Sequence, residues 1–173
     1  MRMLLRAVRE DDESAFRAAQ AALEGSGFSF GFGLDTARPF GDYVRSLEER
    51  RHGRNLAPGY VAETFLVAEV GGVLVGRISL RHELTDALRK IGGHIGFGVL
   101  PMHRRRGYAT EMLRHTLGLA RTQGLTQVLL TCDEGNLGSR TVIERCGGML
   151  AQTLPPERER DAIRHYWIAL PAR

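Results

Sequence analysis

"HRRRGYAT", residues 103–110, sets three arginines directly before a glycine. Its flanks decide how it reads. Upstream, "GGHIGFGVLP" (residues 92–101) is apolar and glycine-rich, as a strand entering a turn is. Downstream, "EMLRHTLGLARTQG" (residues 111–124) places apolar residues three and four apart, the period of a helix. A strand therefore runs into a basic turn, and the turn opens a helix. Free backbone N–H groups and the positive end of a helix dipole suit a bound polyphosphate. Gly107 lets the backbone approach such a ligand with no Cβ in the way, and Ala109 keeps the first helical turn thin. The amides from Arg105 through Gly107, Tyr108 and Ala109 to Thr110 can then face outward, with Arg104, Arg105 and Arg106 adding charge. Two other phosphate motifs are excluded. No GxxxxGK[ST] string exists, and "GFGVLP" holds only the first glycine pair of GxGxxG and leads into a turn.

The rest of the chain fits around this unit. Its 173 residues suit one domain, 1–173, with no repeat and no linker long enough to divide it. Hydrophobic residues make up 43% and charged residues 25%, as in ordinary globular proteins. No apolar run approaches the ~18–20 residues of a membrane span, and the apolar part of "MRMLLRAVRE" is too short for a signal peptide. The expected location is the cytoplasm. Cys132 and Cys146 then read as reduced thiols, and the six scattered histidines point to no metal site. The net charge of +4 favours anionic ligands, but three of the arginines sit in one turn. That is a local anion site, whereas a nucleic-acid surface needs a stripe.

The periodicities give the order β-α-α-β-β-β-α-β-α-β-β, a mixed α/β (α+β) sheet of about seven strands with about four helices. "MLLRAVRE" is a first strand, and "DDESAFRAAQAALE" a helix with Asp11 or Asp12 as N-cap and Phe16, Ala19, Ala22 and Leu23 on one face. "DYVRSLEERRHG" is a second helix. "TFLVAEVGGVLVGRISLRHEL" is a hairpin about Gly71-Gly72. "TDALRK" is a connection of about one helical turn. The helix from Gly107 to about Gln123 buries Ala109, Met112, Leu113, Thr116, Leu117 and Ala120. "LTQVLLTC" is a continuously apolar central strand, "NLGSRTVIERC" a helix capped by Asn136, and "MLAQTLP" and "AIRHYWIAL" are two last strands.

On these residues the chain resembles the GNAT superfamily of N-acetyltransferases. "VLPMHRRRGYATEML" looks like its acyl-CoA pyrophosphate loop, R/Q-x-x-G-x-G/A, and the element order is that superfamily's. Asn136, opening a helix after the fifth strand, with Ser139 three residues on and Gly147 at the helix end, matches its second signature. The strings "GGHIGFGV" and "RRRGYATEML" resemble a bacterial subgroup known only as predicted acetyltransferases; the likeness is close from about Phe65 onward and thinner before. The resemblance implies splayed fourth and fifth strands with the pantetheine arm between them. Backbone groups around Gly98, Val99 and Leu100 would bond its amides. An amine would attack the thioester of acetyl-CoA, the co-substrate, directly.

The resemblance also ranks the catalytic candidates. Many relatives carry a glutamate where His94 stands on the fourth strand, so His94 is the first choice for a base; the alternative is a half-buried strand histidine bonded to a neighbour. His82 and Glu83 end the preceding strand. If the hairpin is symmetric about Leu88, His82 lies opposite His94. Asp133 and Glu134, at the end of the fifth strand, could bind a cationic amine or simply form an acidic turn. Counting from Asn136, the place of the usual proton-donating tyrosine falls on Ile143, which leaves Cys146, Tyr108 and Tyr166 as other donors. Phe28, Phe30 and Phe32 either line an acceptor pocket or pack their loop onto the core. The expected activity is acetyl transfer to a primary amine of a small molecule or peptide. The alternative is an acyl-CoA-binding regulatory module without turnover. Acetyl-CoA and an amine acceptor are the expected partners, with no nucleic acid and no membrane, and a homodimer is one option for assembly.

Overall fold

The computed structural model describes residues 2–157 and 160–171; the tip of the polar loop "PERERD", at 158–159, lies outside them. Seven strands form: β1 (Met3–Arg6), β2 (Glu63–Val70), β3 (Val73–Arg81), β4 (Ile95–Val99), β5 (Gln127–Asp133), β6 (Met149–Leu154) and β7 (Ile163–Ala169). The helices are α1 (Glu13–Ala22), α2 (Phe40–Arg51), α3 (Asp86–Lys90), α4 (Tyr108–Thr122) and α5 (Leu137–Arg145). The expected order holds, and α3 is the short turn expected within "TDALRK". The strands divide into two antiparallel sheets, β1-β2-β3-β4 and β5-β7-β6.

Strand parity separates two cores. One face of the first sheet carries Leu66, Ala68, Ile78, Leu80, Ile95 and Phe97. It packs, together with Val128, Leu130, Tyr166 and Ile168 of the second sheet, on Met112, Leu113 and Ala120 of α4. The other face presents Phe65 and Val67 to α1 and α2. There Phe16 is fully buried, with Phe30 edge-on at 5.0 Å and Phe40, Tyr43 and Phe65 tilted around it. These ring contacts add to the area each aromatic buries. Phe16, Ala19 and Leu23 face this core as their spacing predicts, while Ala22 is exposed at the helix end.

The start of α1 is secured differently from a simple cap. Asp12 precedes the helix, but its side chain accepts from Arg6 (Nη1 and Nη2, both 2.7 Å) and from the Arg9 amide (2.8 Å). Arg6 also reaches Glu69 on β2 at 2.7 Å, so strand and helix are tied through one guanidinium. Arg6, with burial working against it, holds the Asp12 carboxyl below its ordinary value. Such a group stabilises the fold above the unfolded-state pKa and loses that contribution as pH falls through the native value. Asp12→Asn is therefore expected to cost about 2 kcal/mol at neutral pH. In urea titrations at several pH values, the gap to wild type should close as the medium turns acid. A pH-independent gap would show that packing, not charge, is lost.

Candidate active site

The basic turn has the geometry its sequence suggests. Pro101–His103 form one 3-10 turn, Arg105 and Gly107 take left-handed φ values of 60° and 85°, and α4 begins at Tyr108. The alternation exposes the amides. Among the described residues, the N–H groups of Arg105, Arg106, Gly107, Tyr108, Ala109 and Thr110 have no hydrogen-bond acceptor, and the first helical bond is Glu111 N–H to Gly107 O at 3.1 Å. Six successive unbonded amides at a helix start are the kind of donors that an anion site uses. A Cβ on Gly107 would meet nothing within 4 Å, so the space beside it is open to a ligand. The three arginines divide their roles: Arg104 folds back and donates Nε–H to Val99 O at 3.1 Å, while Arg105 and Arg106 are exposed.

This turn lies at the end of β4, where the two sheets part. The junction between them is one residue wide. His94 N–H donates to Leu129 O at 2.7 Å, and Leu129 N–H donates to His94 Nδ1 at 2.9 Å. Among the described residues no ladder joins β4 to β5 beyond it. Gly93, at φ 60°, passes so close to the Leu129 carbonyl that a Cβ there would collide with it. The pairing of β4 with β3 decides which backbone groups face the opening. Leu100 N–H is bonded to Val75 O and His94 O accepts from Arg81 N–H, so the His94 carbonyl, the groups of Gly96 and Gly98 and the Leu100 N–H turn toward β3. Phe97 and Val99, which alternate with them, turn theirs toward the opening. The expectation for Gly98 and Leu100 is thus corrected, because the β3 ladder uses their amides; Val99 keeps the expected orientation and Phe97 joins it.

His94 does not fit the role of base. The residue is 6% exposed, and its Nδ1 lone pair accepts the Leu129 amide. In the neutral ring Nε2 then carries the proton, so no lone pair is left to take another. Burial first, and then Arg89 and Arg81, push its pKa down to about 4. His82 is not opposite His94. Leu80 pairs with Ile95, so Arg81 faces His94 and the one-residue offset turns His82 to the α4 side. There its Nε2 lies 2.8 Å from Thr64 Oγ1 and 3.4 Å from Gln123 Nε2. Glu83 is exposed in the loop after β3. Asp133 is exposed at the end of β5, on the strand face shared with Leu129 and Thr131, and its carboxylate has no hydrogen-bond partner among the described residues. Glu134 is held by Arg164 at 2.8 Å.

The other candidates are occupied. Asn136 Oδ1 accepts the Ser139 amide at 3.0 Å, a cap that starts α5. Ile143 is fully buried, and the Cys146 thiol, raised by burial, points at Thr110 O. Tyr166 is buried on β7 and donates its hydroxyl to Glu144 at 2.9 Å. Tyr108 packs on the main core. Among the described residues no group of three or more His, Cys, Asp or Glu could hold a metal, and no helix is long and apolar enough to cross a membrane. An apolar groove of about 680 Å³ between Ala15, Ala18, Val73 and Met102 lies beside the turn, away from the sheet opening.

The face of β4 opposite α4 holds groups that the sequence pattern alone leaves unassigned. Arg77 on β3 is 7% exposed and donates Nη2–H to Ser29 O at 2.6 Å and Nε–H to Phe30 O at 3.1 Å. Its guanidinium stacks on Phe28 at 4.2 Å, and the Phe28 ring covers Gly98. The signal was present: a charged residue in the middle of "VLVGRISL" must find a buried partner. Of the three expected aromatics, Phe28 lies on β4, Phe30 is in the core and Phe32 is exposed.

A sheet parted at one edge, with an amide-lined turn at its mouth, is the arrangement of an acyltransferase that takes a diphosphate-bearing thioester. Residues 2–149 match the family described as acetyltransferase (GNAT) domain, and the chain belongs to that family. No curated protein matches it in sequence. Several solved structures share the fold. A putative acetyltransferase from Salmonella typhimurium, yncA, with its cofactor acetyl-CoA, is 16% identical, with 99% of this chain and 95% of that one covered and a TM-score of 0.68. Mycobacterium smegmatis RimJ in complex with CoA-disulfide is 24% identical over 96% of this chain and 81% of its own, with a TM-score of 0.72. A point mutant of spermidine N-acetyltransferase SpeG from Vibrio cholerae is 18% identical over 96% of this chain and 95% of its own, with a TM-score of 0.66.

The junction makes a pH prediction. The unfolded chain binds a proton on His94 below its ordinary value of 6.5, whereas the native ring resists protonation until about 4. Stability should therefore fall as pH drops through that window. His94→Asn keeps an acceptor for the Leu129 amide but does not titrate. Denaturant titrations should show that it loses about 2 kcal/mol less than wild type between the two limits. Equal acid sensitivity in both proteins would refute the assignment.

Proposed function

We propose that the protein is an acetyl-CoA-dependent N-acetyltransferase acting on a primary amine. The observation that carries this reading is the run of six unbonded amides, Arg105–Thr110, at the mouth of the opening between β4 and β5. That run suits a diphosphate, and the acetyl-CoA and CoA-disulfide bound by the Salmonella and Mycobacterium proteins of the same fold support the choice. Acetyl-CoA supplies an acyl group activated as a thioester. Along the opening, the Phe97 N–H and C=O and the Val99 N–H are free to hold an extended amide-bearing arm as an added strand would be held, while the Val99 carbonyl accepts from Arg104.

The acceptor amine enters from the face opposite α4, over Gly96, because α4 and its core close the other face and the Phe28 ring covers Gly98. The amine must lose a proton to attack. Of the expected acid–base residues, Asp133 stands at the end of β5 on this face with no partner for its carboxylate among the described residues, whereas Glu83 lies beyond the end of β3, so Asp133 is assigned to take the proton through water. The buried Ile143 leaves no donor for the thiolate at the usual position, and a CoA thiolate can leave without one. That same residue motivates the second reading, a binding module without turnover. Acetyl-CoA metabolism and the reduced thiols Cys132 and Cys146 suit the cytoplasm.

Calorimetric titration with acetyl-CoA tests the turn. Gly107→Val should abolish measurable binding, since a β-branched residue at φ 85° is strained and its side chain fills the ligand's space. Arg105→Ala should weaken binding by only about 0.5–1 kcal/mol, less at high salt. Near-wild-type affinity in Gly107→Val would sink the reading. Thiol release with an amine panel separates enzyme from binding module. Asp133→Asn should lower turnover about 10-fold or more without changing acetyl-CoA affinity, and an unchanged rate would remove Asp133 from the mechanism.

A further inference from the structure

The glycines Gly93, Gly96 and Gly98 of β4 and its approach are not equivalent. The space beside Gly93 is taken by the Leu129 carbonyl, and that beside Gly98 by the Phe28 ring. Beside Gly96 there is room. The nearest atoms to an added Cβ are Arg77 Nη1 and Ser79 Oγ, both at 3.8 Å, and Gly96 itself is half-exposed. The methyl-sized space on this face is therefore bordered by a guanidinium and a hydroxyl, each from a residue that is more than nine-tenths buried.

The charge there is unbalanced. Among the described residues no carboxylate is hydrogen-bonded to Arg77, whose partners are the Ser29, Phe30 and Gly96 carbonyls and Ser79 Oγ. The two Nη1 contacts, to Ser79 Oγ and Gly96 O, are both long at 3.4 Å, and one Nη2 hydrogen has no partner among the described residues. The titratable groups that act on Arg77 are Glu63, Tyr43 and Arg81. Glu63 faces Arg81 across the β2–β3 ladder and lies 3.9 Å from Arg50, so one carboxylate serves three guanidiniums. The Arg81 side chain donates to the Gly92 and Gly93 carbonyls. A buried cation without a paired anion is costly, and a ligand anion offsets that cost.

We propose that the acceptor is an amine that also bears a carboxylate, and that this carboxylate docks over Gly96 against Arg77 Nη1 and Ser79 Oγ. The inference rests on the acetyltransferase reading above and names the acceptor class for that site. A polyamine is disfavoured, because its second cation would meet the excess positive charge of Arg77 and Arg81.

Arg77 also ties the 29–30 backbone, so replacing it risks the fold. Gly96→Ala is the cleaner probe: its methyl group has room in the free protein, at 3.8 Å from its neighbours, yet fills the seat. Acetylation is measured with L-amino acids, each paired with its decarboxylated amine, and with spermidine. Wild type should favour at least one amino acid over its paired amine about 10-fold or more in kcat/KM. Gly96→Ala should erase that preference by raising KM, with acetyl-CoA affinity retained. Preference for spermidine, or an equal effect of Gly96→Ala on all acceptors, overturns the proposal. Turnover without any carboxylate preference sinks this inference alone, whereas failure to bind acetyl-CoA sinks the underlying reading. A second measurement needs no turnover. Calorimetry with N-acetylglycine in the presence of CoA should show binding to wild type and none to Gly96→Ala, and equal binding or none in both overturns the seat.

Discussion

The molecule depends on a junction one residue wide. His94 donates its amide to Leu129 O and receives the Leu129 amide on its ring, so a side chain completes the reciprocal pair that a second strand residue would otherwise make. The two sheets are joined at that point and part beyond it. Among the described residues the parting leaves the Phe97 N–H and C=O and the Val99 N–H without partners, a condition that costs free energy unless water or a ligand meets those groups. The connection that creates this parting must not slip. Further bonds from the end of α3 and the loop before β4 to the second sheet secure it: Gly92 N–H to Thr131 Oγ1 at 2.8 Å and His165 Nε2 to Lys90 O at 2.8 Å.

At the other end of β4 the same logic appears as charge. The left-handed values at Arg105 and Gly107 turn six amides outward, and the start of α4 adds its dipole. Backbone donors have fixed positions, whereas the exposed Arg105 and Arg106 side chains must be ordered before they bind. In the proposed anion site the amides accordingly set the geometry, and the arginines strengthen the field around it. Arg104 is the exception, since it is spent on the Val99 carbonyl and holds the turn against the strand.

Much of this was legible in the sequence. "HRRRGYAT" between a glycine-rich strand and an amphipathic helix identified the turn, and the periodicities of the chain placed every strand and the long helices. What failed was register. Symmetry about Leu88 put His82 opposite His94, but α3 and the left-handed Gly92 and Gly93 lengthen one arm of the connection, so the pairing is offset by one residue. In a strand, one residue reverses the face, and His82 went from the acceptor side to the α4 side. The same parity reassigned the backbone groups of Gly98 and Leu100. Strand propensity and burial pattern are local, whereas pairing depends on the path of the loop, and no residue type in 82–94 encodes that path by itself. His94 failed as a base for a related reason, because its partner, Leu129, is 35 residues away in sequence.

The glycines of "GGHIGFGV" show how one composition can answer to several constraints. Gly93 is small because the Leu129 carbonyl passes over it, and any side chain would force the sheets apart. Gly98 is small because Phe28 lies on it, which lets Arg77 stack on that ring and fasten the 28–30 loop to the sheet. At Gly96 neither reason applies. Among the described residues no atom fills the space, the backbone angle does not demand glycine, and the neighbours are a cation and a hydroxyl. A small residue that neither packing nor conformation requires leaves room for something outside the chain. The groups around that room favour a negative oxygen there.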